Sequence, residues 1–110
     1  FYDENDTSAS DEAKKFVPGF KKYLGDENAI IPAVSALGYD AYCVVLDAIE
    51  RAGSTDGDAI RQAIADTSDF VGVTGAITFD ENGDAQKEVA IVKVVENGTF
   101  KYLDTVTVAE

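Results

Sequence analysis

A handful of places in this sequence carry residue types at spacings that could do chemistry. Asp80-Glu81-Asn82-Gly83-Asp84 gathers side-chain oxygens, the hard donors a calcium ion prefers. Its spacing departs from a helix-loop-helix calcium site, because the glycine stands fourth and no glutamate follows at the twelfth place. A plain hairpin turn explains the same residues, since Asp and Asn tolerate left-handed backbone. Gly72-Val73-Thr74-Gly75 could hold an anion on backbone N–H groups, but no phosphate-loop lysine follows, and a tight loop between helix and strand is the better reading. Asn97-Gly98-Thr99 fits the short glycosylation pattern and equally fits an Asn-Gly hairpin turn. Cys43 stands beside Tyr42, Val44 and Val45 with no neighbouring cation to activate it, so a buried small hydrophobe is expected.

The composition removes whole classes of function. Twenty-one Asp+Glu oppose nine Lys+Arg for a net charge of −12, and there is no histidine. With one cysteine and no histidine, a Ser-His-Asp triad, a Cys-His pair and a structural zinc site cannot be assembled within the chain. Among the carboxylates no pair has a sequence reason to be buried together, so no acid–base couple stands out. No catalytic residue, metal or other cofactor is expected, and the chain reads as a non-enzyme. Nucleic acid is a poor partner because backbone binding needs a basic stripe. An anionic membrane surface repels the chain for the same reason. The acidic surface reads as a solubility device.

At 110 residues, 45% hydrophobic and 27% charged, the chain has room for one globular unit over 1–110. Its apolar runs fall short of the ~20 residues that span a bilayer. One cysteine makes no internal disulfide, so redox compartment is open. The chain starts at Phe1 and has no methionine, which suggests a processed form or a piece of something longer.

The elements that must position these residues follow from periodicity. A helix is expected from Ser8 or Ser10, with Ser8 and Asp11 at capping-box spacing and Phe16, Phe20, Tyr23 and Leu24 on one face. Pro18 should kink or restart it. Gly25 to Pro32 connects to a second helix over roughly Val34 to Ala52, ended by Gly53. This helix is apolar on most of its circumference, with Asp40, Asp47 and Arg51 as a narrow polar edge, so burial between two layers is expected. Thr55 and Asp58 suit a capping box for a short third helix that turns Ile60, Ala63 and Ile64 inward. From there the period changes to two. Ala76 to Phe79, Val89 to Val95 and Thr99 to Val108 read as strands joined by the Asp80–Asp84 and Asn97-Gly98 turns. The continuous apolar run Val89 to Val95 suggests a strand covered on both faces. The expected fold is α/β: a helical part over about 8–67, then a three-stranded antiparallel meander over about 70–108.

Three stretches carry a resemblance when taken in order. They are Ala36-Leu37-Gly38-Tyr39-Asp40-Ala41, then Asp47-Ala48-Ile49-Glu50-Arg51-Ala52-Gly53-Ser54, then the run from Phe70 through Gly72-Val73-Thr74-Gly75 to Asp84. Together they resemble the C-terminal part of type I periplasmic (extracellular) solute-binding proteins of ABC transporters, on the leucine/isoleucine/valine-binding branch. The resemblance runs from the helix at Asp11 to near Leu103 and covers about the last third of such a protein. It implies part of a two-lobed α/β receptor that closes on a branched-chain or related amino acid and hands it to an ABC permease. It implies a periplasmic or extracellular location, secreted or lipid-anchored. The main groups for the ligand's amino and carboxylate ends would lie upstream, so this piece alone is not expected to bind. By the same resemblance Val34 and Ser35 would sit on the cleft wall, and Phe1 and Tyr2 would end a strand near the hinge. Pro18 departs from the uninterrupted helix usual there.

Exposed apolar surface left by absent neighbours favours self-association, most simply as a homodimer. A stand-alone acidic interaction domain is the alternative reading of the same composition. A gene bounded near Phe1 would favour it, whereas a reading frame of about threefold this length beside permease genes would favour the receptor.

Overall fold

The computed structural model describes residues 2–6, 9–87 and 89–107, which form three helices followed by five strands. Helix α1 (Asp11–Leu24) starts where Ser10 leaves the helical region and its Oγ accepts the Ala13 N–H at 3.1 Å. The same hydroxyl donates to the Gly72 carbonyl at 3.0 Å, so one cap also ties the helix to the strand region. The alternative cap, Ser8, lies outside the described residues. Asp11 and Glu12 open the helix and Lys21 and Lys22 close it, as the helix dipole favours. The helix runs through Pro18 without restarting.

Helix α2 (Ala33–Ala52) buries every fourth residue: Ala36, Asp40, Val44 and Ala48. Only this side is covered. Val34, Leu37, Tyr42, Val45 and Leu46 remain exposed, so the expected second layer is not formed by the described residues. Of the polar edge, Asp47 and Arg51 stay more than a third exposed, and only Asp40 is shut off from solvent. Asp40 is 2% exposed. Arg51 donates to Asp47 at 2.7 Å and to Thr67 Oγ1 at 2.8 Å, which clamps the helix to the segment after α3. Gly53, at φ +59°, ends α2 as expected.

Helix α3 (Gly57–Ala65) is capped by Asp56 rather than Thr55. The Asp56 carboxylate accepts the N–H groups of Asp58 and Ala59. A carboxylate both fills the orphan donors and opposes the positive end of the helix, which a hydroxyl does less well.

The strands are antiparallel and follow one another in chain order, but they divide into two sheets. β1 (Phe70–Gly72), β2 (Gly75–Phe79) and β3 (Ala85–Gln86) form the first, and β4 (Val89–Glu96) pairs only with β5 (Thr99–Thr107). The expected pairing of the Ala76–Phe79 strand with Val89–Val95 is replaced by pairing with β1 and β3. The physical reason is that both edges of β2 are already taken, by β1 on one side and, directly after the tight Asp80–Asp84 turn, by β3 on the other. Val108, the expected strand end, lies outside the described residues.

The buried cluster is Tyr2, Ala13, Phe16, Ile31, Ala36 and Val73, with Phe16 ringed by Tyr2, Phe20 and Tyr39. No residue of β4 or β5 is buried, which overturns the expectation of a strand covered on both faces. The radius of gyration is 15.6 Å. A compact chain of this length should reach only about 13 Å. The excess reflects a hairpin that stands off the helical body.

Candidate functional site

The Gly72–Gly75 loop does hold an anion on its backbone, and that anion belongs to the protein. Val73 N–H donates to Asp40 Oδ1 at 2.7 Å, and Thr74 donates to Oδ2 through its N–H at 2.8 Å and its hydroxyl at 2.6 Å. Lys87 completes the cluster by donating to Thr74 Oγ1. Burial pushes the Lys87 ammonium below its usual pKa, against the opposing pull of the Asp40 charge. A Cβ on Gly72 would sit 2.6 Å from the Asp40 carboxylate. That position is glycine for lack of space.

The acidic turn is likewise committed to its own geometry. Asp80 Oδ1 accepts from Asn82 and Asp84, and Oδ2 accepts from Gln86. Gly83, at φ +85°, lets the turn close. Among the described residues no three acidic or cysteine side chains gather as a metal site. Asn97 and Gly98 both have positive φ, the conformation of a two-residue hairpin turn. Cys43 is half-buried rather than buried.

A cleft of about 860 Å³ opens between the segment leading into α2 and the β4–β5 hairpin. One wall is Ile30, Ile31, Pro32 and Ala33; the other includes Lys93, Phe100 and Tyr102; Tyr2 and Asp3 also line it. Ile31 is buried and anchors its wall, while Ile30 is exposed. Pro32 stands at the N-cap of α2 in extended conformation, and its carbonyl accepts the Ser35 N–H at 2.9 Å.

Val34 and Ser35 follow directly on this wall in the first turn of α2. Val34 is 71% exposed and heads the uncovered apolar stripe that continues through Leu37 and Val45. Ser35 is half-buried. Neither lines the cleft itself. Phe1 lies outside the described residues, and Tyr2 is a core residue.

The electrostatics concentrate on Asp3, which sequence reasoning passed over. Its Oδ1 accepts from the backbone and side chain of Asn5, and its Oδ2 pairs with Lys93 at 2.8 Å. Burial alone would raise this carboxyl. The hydrogen bonds from Lys93 and Asn5, with the Lys93 charge, outweigh burial and hold it below its usual range. The neighbouring Glu4 pairs with Lys21 of α1 at 2.7 Å. The Tyr2 hydroxyl is buried without a hydrogen-bond partner among the described residues. Burial and the charges of Glu4 and Asp3 push its pKa up to about 12.

Comparison with known proteins places this architecture. The family profile described as periplasmic binding protein matches residues 1–99. The leucine binding protein LivK from Thermotoga maritima is 45% identical, with a TM-score of 0.80 over 96% of this chain and 29% of its own. The branched-chain amino acid transporter substrate binding protein LivJ from Streptococcus pneumoniae, solved in complex with isoleucine, is 27% identical, with a TM-score of 0.79 over 94% of this chain and 28% of its own. An ABC transporter substrate-binding protein from Desulfitobacterium hafniense, solved with Leu, is 26% identical, with a TM-score of 0.77 over 94% of this chain and 29% of its own. A search of curated protein sequences gave no match. The chain thus spans less than a third of the length of the solved structures it matches. With a profile match across nearly all of its length, and the helices and antiparallel strands of those structures, the chain belongs to the periplasmic binding protein family.

Proposed function

We propose that this chain is the C-terminal portion of an ABC-transporter substrate-binding protein for branched-chain or related amino acids. The carrying observation is the 45% identity to a leucine binding protein at a TM-score of 0.80. In this reading the longer protein works in the periplasm or outside the cell, secreted or lipid-anchored. It captures its solute and passes it to a permease without catalysing a reaction. Val34 and Ser35 contribute to the ligand-facing wall; the exposure of Val34 beside the cleft supports that placement. A zwitterion needs its charged ends met and both walls present, so the 110-residue chain alone is not competent.

Isothermal titration of leucine, isoleucine and valine is the test, run on a protein of the relatives' full length and on this chain. Binding by the longer protein alone is expected. Failure of the longer protein to bind any of the three would overturn the solute assignment. A micromolar dissociation constant for the short chain would show that the site is complete within it.

A further inference from the structure

The β4–β5 hairpin is an arm with little to hold it. No residue of either strand is buried, and beyond their mutual pairing the strands make only slight contact with the other elements. The covalent connection enters the arm after Lys87, and Lys87 is itself pinned to Thr74. That contact lies at the root of the arm, where it has little leverage on the two strands beyond it. Further along β4, Lys93 reaches back across the cleft to Asp3. This second point gives leverage against rotation.

Both ends of the contact are built for the purpose. Asp3 has 7% of its side chain exposed, and it belongs to the body: Tyr2 before it is in the core, and Glu4 after it pairs with α1. On the arm, β4 and β5 shift register between Val92 and Lys93. Val92 faces Asp104 while Lys93 faces Tyr102, so Leu103 is an extra residue. A bulge bends and twists a strand where it occurs, and this one lies at the residue that must reach out of the sheet.

We propose that the Asp3–Lys93 ion pair is a latch that fixes the angle between the hairpin arm and the helical body, and hence the width of the cleft between them. Broken, it leaves the angle between the arm and the body unfixed. The inference stands on the geometry of this chain, and its test needs no solute, so it can fail independently of the transport reading.

Nitroxide labels on Glu50→Cys in α2 and Val95→Cys on the arm, in a Cys43→Ser background, report the angle as a distance distribution. The labelled chain is measured at a concentration where light scattering finds a monomer, so that the arm is free of a second copy and only distances within one molecule are read. A narrow distribution is expected for this parent. Lys93→Met, which keeps the aliphatic stem and removes the charge, should broaden it at least about twofold. Asp3→Asn, which can still accept from Asn5, should broaden it similarly. Lys101→Met removes a pair internal to the arm, Lys101–Glu96, and should leave the width unchanged. Far-UV circular dichroism confirms that each variant is folded. A Lys93→Met distribution as narrow as the parent's, a parent already as broad as the variant, or equal broadening by Lys101→Met would each overturn the latch.

Discussion

Asp40 and Thr74 are bonded twice through one oxygen: Oδ2 accepts both the backbone N–H and the hydroxyl of Thr74, from thirty-four residues away in sequence. The other oxygen takes the Val73 N–H, so a single carboxylate satisfies two consecutive backbone donors of a buried loop. Gly72 makes this approach feasible, because any Cβ there would occupy the space of the carboxylate. The Tyr39-Asp40-Ala41 and Gly72–Gly75 pieces of the family pattern are thus two halves of one contact.

This relationship sets the first prediction. Asp40→Ala should destabilise the chain by about 3 kcal/mol, since it strands buried donors that then have no acceptor. Gly72→Ala should cost about 2 kcal/mol by forcing the carboxylate aside. The double variant should cost clearly less than the sum, because the added methyl group then meets a vacated site. Urea denaturation of the four proteins closes the cycle. Strict additivity would mean that Gly72 is small for another reason.

The helices were legible in the sequence because their signals are local. Gly53 stops α2 and Ser10 starts α1 within a turn of where the periodicity says. The role of Asp40 was not legible from periodicity, which sees an acid in an apolar helix and assigns it to solvent. Its partners lie thirty-three and thirty-four residues later. Asp3 and Lys93 are farther apart still. The division of the strands into two sheets was hidden for a related reason: β2 and β4 are both apolar, and the strand that takes the edge of β2 between them, β3, is only two residues long and carries no alternation to announce it. Val34 and Ser35 came from the family resemblance alone, and no residue pattern would have singled them out.

Acid should weaken the link between the N-terminal segment and the arm. The folded state holds the Asp3 carboxyl below its reference value of 3.8, so it favours the ionised form. The associated stability is present above that value and lost as pH falls through the folded-state pKa. Lys93 supplies the facing positive charge, while Glu4 is paired away with Lys21. Lys93→Met should therefore lower stability at neutral pH, and the gap to the parent should close as pH drops below 3.8. Circular dichroism melts across an acid series measure it. A gap that stays constant down to strong acid would show that the stabilisation by Lys93 does not run through Asp3.

In the longer protein, Val34→Asp should weaken binding of the preferred branched-chain amino acid by at least about tenfold. A carboxylate on an apolar ligand wall costs several kcal/mol in desolvation unless it finds a partner. Asp26→Asn is the control. Asp26 lies in the exposed connection before α2, where its side chain accepts the Asn28 N–H, and an asparagine oxygen can do the same. Titration calorimetry on both variants separates them. Equal losses would move Val34 away from the ligand.

The isolated chain should self-associate as a two-fold dimer. Two apolar surfaces stand uncovered: the α2 stripe of Val34, Leu37 and Val45, and the arm, where Phe100 is 73% exposed and Val95 and Leu103 are each 60% exposed. At ~25 cal/mol per Å², keeping a few hundred Å² of such surface dry contributes on the order of 5–10 kcal/mol. That rivals the whole stability of a domain this size. A second copy offers the same surfaces, and isologous packing closes on itself without building a filament. The charge of −12 on each chain opposes the encounter. At physiological salt the Debye length is only ~8 Å, so repulsion beyond the contact is largely screened. Association should accordingly strengthen with added salt, the reverse of what a charge-paired interface would do. Light scattering over a dilution series at two salt concentrations tests both points. A monomer persisting at high micromolar concentration in both, with no binding of an apolar dye, would mean that the stripe and the arm are already covered in solution.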